Sequence, residues 1–239
     1  MTIAQGPPAP ERLRLRDRFL ERAVRDLLKH DARVRGLDVE ARFAGGVAHL
    51  TGEVDQPEQL DAVRELVGQL HGVFGVWDRV RVAGRAPVVL DLGSGGTKQY
   101  PSNIGVDRWN AGAVDVLADV SRPLPFADAC VDRVFVVHVL EHLIDFLPLV
   151  DECHRVLRPN GVLHVISPWW RYVNAVADPT HVRLLDVQTI KGICARPGSD
   201  RHWYPLHAGC DGATIFADLR PVRDGRERAD QVQLARFFD

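Results

Sequence analysis

The chain has 239 residues, 46% of them hydrophobic, with 30 Lys and Arg against 32 Asp and Glu for a formal net charge of −2. That size and apolar content allow one large domain or two unequal ones, and the near-balance of charge gives no global electrostatic reason to expect nucleic acid. No apolar run approaches the ~20 residues a transmembrane helix needs, Met1 to Pro10 lack the apolar core of a signal peptide, and Cys130, Cys153, Cys194 and Cys210 lack the paired spacing of zinc or redox sites, so the expectation is a cytoplasmic protein with free thiols and no metal.

From Glu11 to His30, Leu13, Leu15, Phe19, Leu20, Val24, Leu27 and Leu28 recur at roughly helical spacing between charges, which predicts an amphipathic helix. Leu37, Val39, Ala41 and Phe43 alternate with polar residues, Gly45-Gly46 supplies a tight turn, and Val47, His49 or Leu50, and Val54 follow, which predicts a hairpin. A second amphipathic helix is expected over about Pro57 to Leu70, with Leu60, Val63, Leu66, Val67 and Leu70 inward. Val80-Arg81-Val82 closes as a third strand. This αββαβ order, with Gly-Gly-Val-Ala-His-Leu-Thr-Gly and His-Gly-Val-Phe-Gly-Val, resembles a BON domain over about residues 18 to 83. That family is known mainly from bacterial envelope and osmotic-stress proteins, where lipid or ligand binding is suggested. With no signal peptide, the resemblance favours an accessory domain for dimerisation or substrate docking at residues 11–83 over membrane association. Residues 84–87 read as a short linker.

Residues 88–239 read as an α/β domain. Val88 to Leu92 is a short continuous apolar run, the pattern of a buried parallel strand, and Gly93, Ser94 and Gly95 follow at its C-terminal end, where open α/β sheets bind ligands. Ile104-Gly105-Val106-Asp107 places an acid at the end of the next strand, positioned to accept from ribose hydroxyls or to serve as a plain turn acid. Asp119 follows the third strand, where it reads as a turn or cap acid before Ser121. The stretch from Gly93 to Ile104 is too short for a full crossover helix, and Thr97 stands where a third glycine is usual, so Lys98 to Ser102 reads as a loop with at most one helical turn. Val134 to Val137 is a further strand, followed by an amphipathic helix into Arg155 to Gly161 and the strand Val162 to Ile166.

His138-Val139-Leu140-Glu141-His142 fits H-x-x-E-H, an inverted zinc-protease motif, but it begins directly after a strand and so straddles a strand end rather than sitting mid-helix. Asp178-Pro179-Thr180-His181 reads as a Pro-containing turn or as a loop over a pocket, with Asp178 or His181 gripping substrate or serving as base. Trp169, Trp170 and Tyr172 read as an aromatic wall or as core.

Taken together these segments, roughly residues 86 to 195, resemble a class I S-adenosylmethionine-dependent methyltransferase of the small type 11 kind, and the Asp178–Arg183 segment resembles one subgroup. The resemblance implies a Rossmann-like domain with a mostly parallel seven-stranded sheet and an antiparallel edge, the latter from about Trp203 to Phe238 with a strand at Ala213 to Leu219. It implies S-adenosylmethionine at Asp91, Gly93, Ser94, Gly95, Asp107, Arg108, Asp119, Val120 and His138. Substrate contacts fall to Glu141, Asp178 and Trp169, with His142 and His181 as candidate catalytic bases. No Asn/Asp-Pro-Pro-Tyr clamp is present, so the expected acceptor is an oxygen or nitrogen nucleophile on a small molecule or glycan, and a homodimer is one expectation for the assembly. A catalytically silent module and a zinc hydrolase through His138, Glu141 and His142 are the competing expectations.

Overall fold

The computed structural model describes residues 10–223 and 229–238. The chain divides into two compact units, with the boundary between Pro87 and Val88.

The first unit runs α1 (Pro10–His30), β1 (Asp38–Ala44), β2 (Val47–Val54), α2 (Pro57–Gly68), β3 (Gly75–Asp78) and β4 (Arg81–Val82). β1 and β2 form the expected hairpin, and Leu50 rather than His49 enters the core. Both N–H groups of its Gly45-Gly46 turn donate to the carboxylate of Asp17 in α1, at 2.9 Å each. The inward stripe of α1 is Leu20 and Val24, with Leu27 and Leu28 packed behind them. Leu15 and Phe19, expected inward, are 59% and 71% exposed. They sit one position off the i, i+4, i+7, i+8 stripe and so face solvent. The third strand starts earlier than expected: Gly75–Asp78 pairs in parallel with Val47–Leu50 before Arg81–Val82 pairs with Glu53–Val54. Every residue of β3 is buried, so it lacks the alternation by which strands are usually read. Asp78 is tolerated there because Arg64 of α2 reaches it at 2.9 Å.

The second unit runs β5 (Val89–Leu92), β6 (Ile104–Asp107), β7 (Val116–Leu117), β8 (Val131–Val137), a 3-10 turn at Leu140–His142, α3 (Leu147–Val156), β9 (Leu157–Pro168), α4 (Val173–Ala177), α5 (Val187–Cys194), β10 (His202–Cys210), β11 (Thr214–Val222) and α6 (Gln231–Phe238). Its seven strands lie in the order β10-β11-β9-β8-β5-β6-β7. From β5 to β9 neighbours pair in parallel, and β11 is antiparallel to both β9 and β10. This is the mostly parallel Rossmann-like sheet with an antiparallel edge. The chain winds outward from β5 through β6 to β7, then crosses back to β8, so the strand order reverses between β5 and β8. That reversal opens a crevice at their C-terminal ends, the place where open α/β sheets take ligands.

Between β5 and β6 there are only turns, as the short spacing predicts. β9 begins at Leu157, not Val162: Leu157 pairs with Val131, Val162 pairs with Arg133, and the intervening Arg158 to Gly161 bulge out of register. The segment Gln231–Phe238, expected within the sheet edge, is a helix that buries Leu234 and Phe238, while β10 and β11 make the edge alone. No helix among the described residues is long and apolar enough to cross a membrane.

Candidate active site

The apolar run of β5 delivers Asp91 and then the glycine turn to the crevice. Gly93 has φ +67°, and a Cβ there would lie 2.5 Å from Cγ2 of Val139, just past the end of β8. The turn therefore needs glycine both for its left-handed backbone and for its close approach to the neighbouring strand. Gly95 has φ +51° and open space where its Cβ would stand.

Asp91 is only 2% exposed, and its Oδ2 accepts from the Gln99 N–H and from Asn103 Nδ2. Burial pushes its carboxyl above the usual aspartate range, against the pull of these hydrogen bonds. Its visible work is to hold the return of the shortened loop. Asp107 accepts the Gly95 N–H on Oδ2 and the Trp109 N–H on Oδ1, both at 3.0 Å. Each oxygen keeps a second lone pair, and Gly95 and Gly96 border open space. Ser94 Oγ is buried beneath the turn with no hydrogen-bond partner. A ligand bearing vicinal hydroxyls fits this cradle. Arg108 folds over the Trp109 ring, 5.3 Å from its centroid. Asp119 accepts from the Ser121 N–H and Oγ–H on Oδ1, which holds its carboxyl below the usual range and leaves Oδ2 available. Val120 packs against the core cluster beside it.

At the end of β8, His138 takes φ +54° and its Nδ1 lies 3.1 Å from Glu141 Oε1. The H-x-x-E-H segment leaves the strand and closes a single 3-10 turn, so His138 and His142 are not stacked one helical turn apart, the arrangement a zinc protease requires. Glu141 is 1% exposed, and its Oε2 accepts from Ser167 Oγ at 2.8 Å. Burial alone would raise its carboxyl, but hydrogen bonds from His138, the backbone and Ser167 outweigh it and leave the group below the usual glutamate range.

The Asp178–Arg183 segment folds back onto this turn: the N–H groups of Val182 and Arg183 donate to the Glu141 carbonyl at 2.8 and 3.1 Å, and Arg183 Nε donates to the Ile144 carbonyl at 2.7 Å. His142 and His181, distant in sequence, thereby come edge to face with centroids 4.8 Å apart. Asp178 Oδ1 accepts from the Thr180 N–H and Oγ–H, which lowers its carboxyl. A cleft of roughly 440 Å³ opens here, lined by His138, His142 and His181 together with Asn174, Ala177 and Asp178, and floored by Pro168 at the end of β9.

The residues singled out from sequence thus fall into two neighbouring groups, one around the glycine turn and one around the histidine cleft. Trp169 belongs to neither: its Nε1 donates to Asp186 Oδ2 at 2.7 Å and its ring packs on the core. Three supporting residues escaped the sequence reading. Asn103 and Ser167 orient Asp91 and Glu141, and Asn174 lines the cleft. Only Ser167 had a sequence signal, as a polar residue directly after the apolar run of β9.

Residues 90–165 match the family model described as a methyltransferase domain, of type 11, and residues 16–84 match the BON domain. A probable S-adenosylmethionine-dependent methyltransferase of Mycolicibacterium smegmatis is 47% identical over 55 residues, 23% of this chain and 21% of that protein. A counterpart in Mycobacterium tuberculosis is 46% identical over 55 residues, 23% of this chain and 20% of its own. The chain thus spans about a fifth of the length of these relatives. Among solved structures, a SAM-dependent methyltransferase from Aquifex aeolicus superposes with a TM-score of 0.44 at 17% identity, covering 57% of this chain and 82% of that one. A putative type 11 methyltransferase from Sulfolobus solfataricus gives 0.43 at 15% identity, covering 62% and 92%. Residues 90–165 are thus similar to the type 11 methyltransferase domain, and residues 16–84, which precede them, to the BON domain.

Proposed function

We propose that this chain is an S-adenosylmethionine-dependent methyltransferase acting on an oxygen or nitrogen nucleophile of a small-molecule or glycan-type acceptor. The observation that carries the reading is the glycine turn at the β5/β8 reversal with Asp107 alongside it, inside the segment that matches the methyltransferase family. S-adenosylmethionine supplies a methyl group on a sulfonium, already a good leaving group, so the protein's task is alignment and activation of the acceptor. Asp107 takes the ribose hydroxyls on its free lone pairs, Asp119 Oδ2 takes the adenine amino group, and the Gly93–Gly95 backbone admits the chain that carries the sulfonium. Asp91 acts at one remove, by fixing the loop. The acceptor enters the histidine cleft, where Asp178 and Glu141 orient it and His142 and His181 activate its O–H or N–H.

The reading places the protein in the cytoplasm, in keeping with four free thiols of which Cys194, pushed up to about 12 by burial, is unreactive at neutral pH. The BON domain would then serve acceptor docking. The test is transfer of labelled methyl from S-adenosylmethionine to a panel of phenols, sugars, glycans and amines, with His142→Ala and His181→Ala beside the parent chain. Turnover on one acceptor class that falls at least tenfold in either variant supports the assignment. Undiminished turnover in both variants removes the histidines from it, and cofactor binding with no transfer to any acceptor favours a silent module.

A further inference from the structure

The hydrogen bonds around the histidine cleft fix more than its shape. His142 Nδ1 lies 3.2 Å from the Thr180 carbonyl and 3.1 Å from Thr180 Oγ1, whose own proton goes to Asp178. His181 Nδ1 lies 3.2 Å from the Ala175 carbonyl. A carbonyl oxygen can only accept, so Nδ1 is the donor in each ring and Nε2 is the nitrogen left to serve as a ligand. Glu141 is buried with its carboxylate steadied by Ser167, His138 and a backbone N–H, which leaves it one of four lone pairs. One ligand atom from each of Glu141, His142 and His181 lies within 4.8 Å of the others. The Glu141 carboxylate can only accept, a neutral histidine offers one ring nitrogen as a ligand, and a second carboxylate, Asp178, stands 3.8 Å from His181 Nε2. An acceptor-only cluster of this kind is electrostatically satisfied by a cation.

The geometry points to a divalent metal site formed by Glu141, His142 and His181 in the acceptor cleft, for a cation of the zinc, cobalt or nickel class. Two imidazoles and one carboxylate suit borderline transition metals, whereas magnesium and calcium prefer oxygen throughout. Carbonyl groups accepting from the far nitrogen of each imidazole are the usual outer support of such ligands. Metal–ligand distances of about 2.0–2.2 Å put tetrahedral donors about 3.5 Å apart, so the cluster closes on a cation by a modest turn of the exposed His142 ring. Three protein ligands leave a position open, and an acceptor hydroxyl entering it would be made more acidic by the cation. This last role rests on the methyltransferase reading, in which the two histidines then activate the acceptor through the cation rather than as free bases; the metal site itself does not.

The test uses the full-length chain, free of any purification tag, stripped with chelator and titrated with cobalt(II) alone while its visible absorption is followed. One equivalent with intense d–d bands, displaced by zinc, is expected. His142→Ala and His181→Ala should each weaken cobalt binding at least ~100-fold, and Thr180→Ala, which loosens one outer support, about tenfold. S-adenosylhomocysteine binding, measured on the same preparations, reports that each variant is folded. No saturable cobalt signal, or one unchanged in the doubly substituted His142→Ala, His181→Ala chain, overturns the site. Cobalt binding without S-adenosylhomocysteine binding leaves the metal site standing and removes the methyltransferase reading, and the reverse outcome does the opposite.

Discussion

Gly93→Ala puts the glycine turn to a quantitative test. Alanine at φ +67° carries roughly 1–2 kcal/mol of left-handed backbone strain. Its Cβ would also meet Val139 Cγ2 at 2.5 Å, well inside van der Waals contact, and overpacking of that order costs about 1–3 kcal/mol. The single substitution should therefore destabilise the second unit by about 2–5 kcal/mol and weaken S-adenosylhomocysteine binding, because the turn must move to relieve the clash. In a Val139→Ala background the clash disappears and only the backbone strain of about 1–2 kcal/mol remains. Urea unfolding of the four chains in this double-mutant cycle, read from the tryptophan fluorescence of the second unit, measures the coupling. A penalty for Gly93→Ala that is the same in both backgrounds would refute the close approach of the turn to β8, and a neutral Gly93→Ala would refute the left-handed turn as well.

Other consequences follow from particular side chains. The guanidinium of Arg155 donates to the carbonyls of Leu124 and Phe126 and to Glu152 and Asp128, clamping the loop before β8 onto α3. Lysine cannot reproduce that fork, so Arg155→Lys should cost about 2 kcal/mol in urea unfolding, and a loss under half of that would contradict the clamp. In the first unit, Asp78→Ala strands the buried Arg64 guanidinium and should cost about 3 kcal/mol, the lower end for a broken buried pair because Asp61 remains at 2.8 Å. Replacing both partners by apolar residues, Arg64→Met with Asp78→Leu, should recover most of the loss. His154 is buried beside Trp203 and the Val222 carbonyl, and burial, with Arg223 nearby, depresses it from 6.5 to about 4. The unfolded chain therefore takes up this proton first, so its contribution is full above pH 6.5 and is lost as pH falls towards 4, by up to about 3 kcal/mol. The stability difference between the parent chain and His154→Gln, followed from pH 7 to 4.5, should shift against the parent; parallel curves would dismiss the buried neutral histidine.

What the sequence made legible was apolar periodicity and its punctuation. The runs at Val88–Leu92 and Val134–Val137 announced buried parallel strands, and the shortness of the stretch before Ile104 announced a crossover with at most one helical turn. Periodicity failed where burial was two-sided or partners were remote. β3 is buried along its whole length, so Val76 and Trp77 showed no alternation, and the phase of α1 was misjudged by one position at Leu15 and Phe19. The two-residue β7 is held by pairing with β6 rather than by its own composition. At the site, the acids after the strands were visible because strand ends are visible. The approach of His181 to His142 was not, since it depends on Val182 and Arg183 donating to the Glu141 carbonyl across a long sequence separation. The same limit hid Asn103 and the attachment of Trp169 to Asp186.

On the proposed function, the crevice between β5 and β8 holds S-adenosylmethionine with its ribose on Asp107. Calorimetric titration of the ligand-free chain with S-adenosylhomocysteine tests it most directly, repeated with Asp107→Ala. Removing the carboxylate deletes hydrogen bonds from two hydroxyls to a charged group, each worth about 1.5–3 kcal/mol, so a saturable single site should weaken at least ~100-fold while the fold is kept. Equal affinity in both chains, or no heat of binding in the parent, would contradict the account.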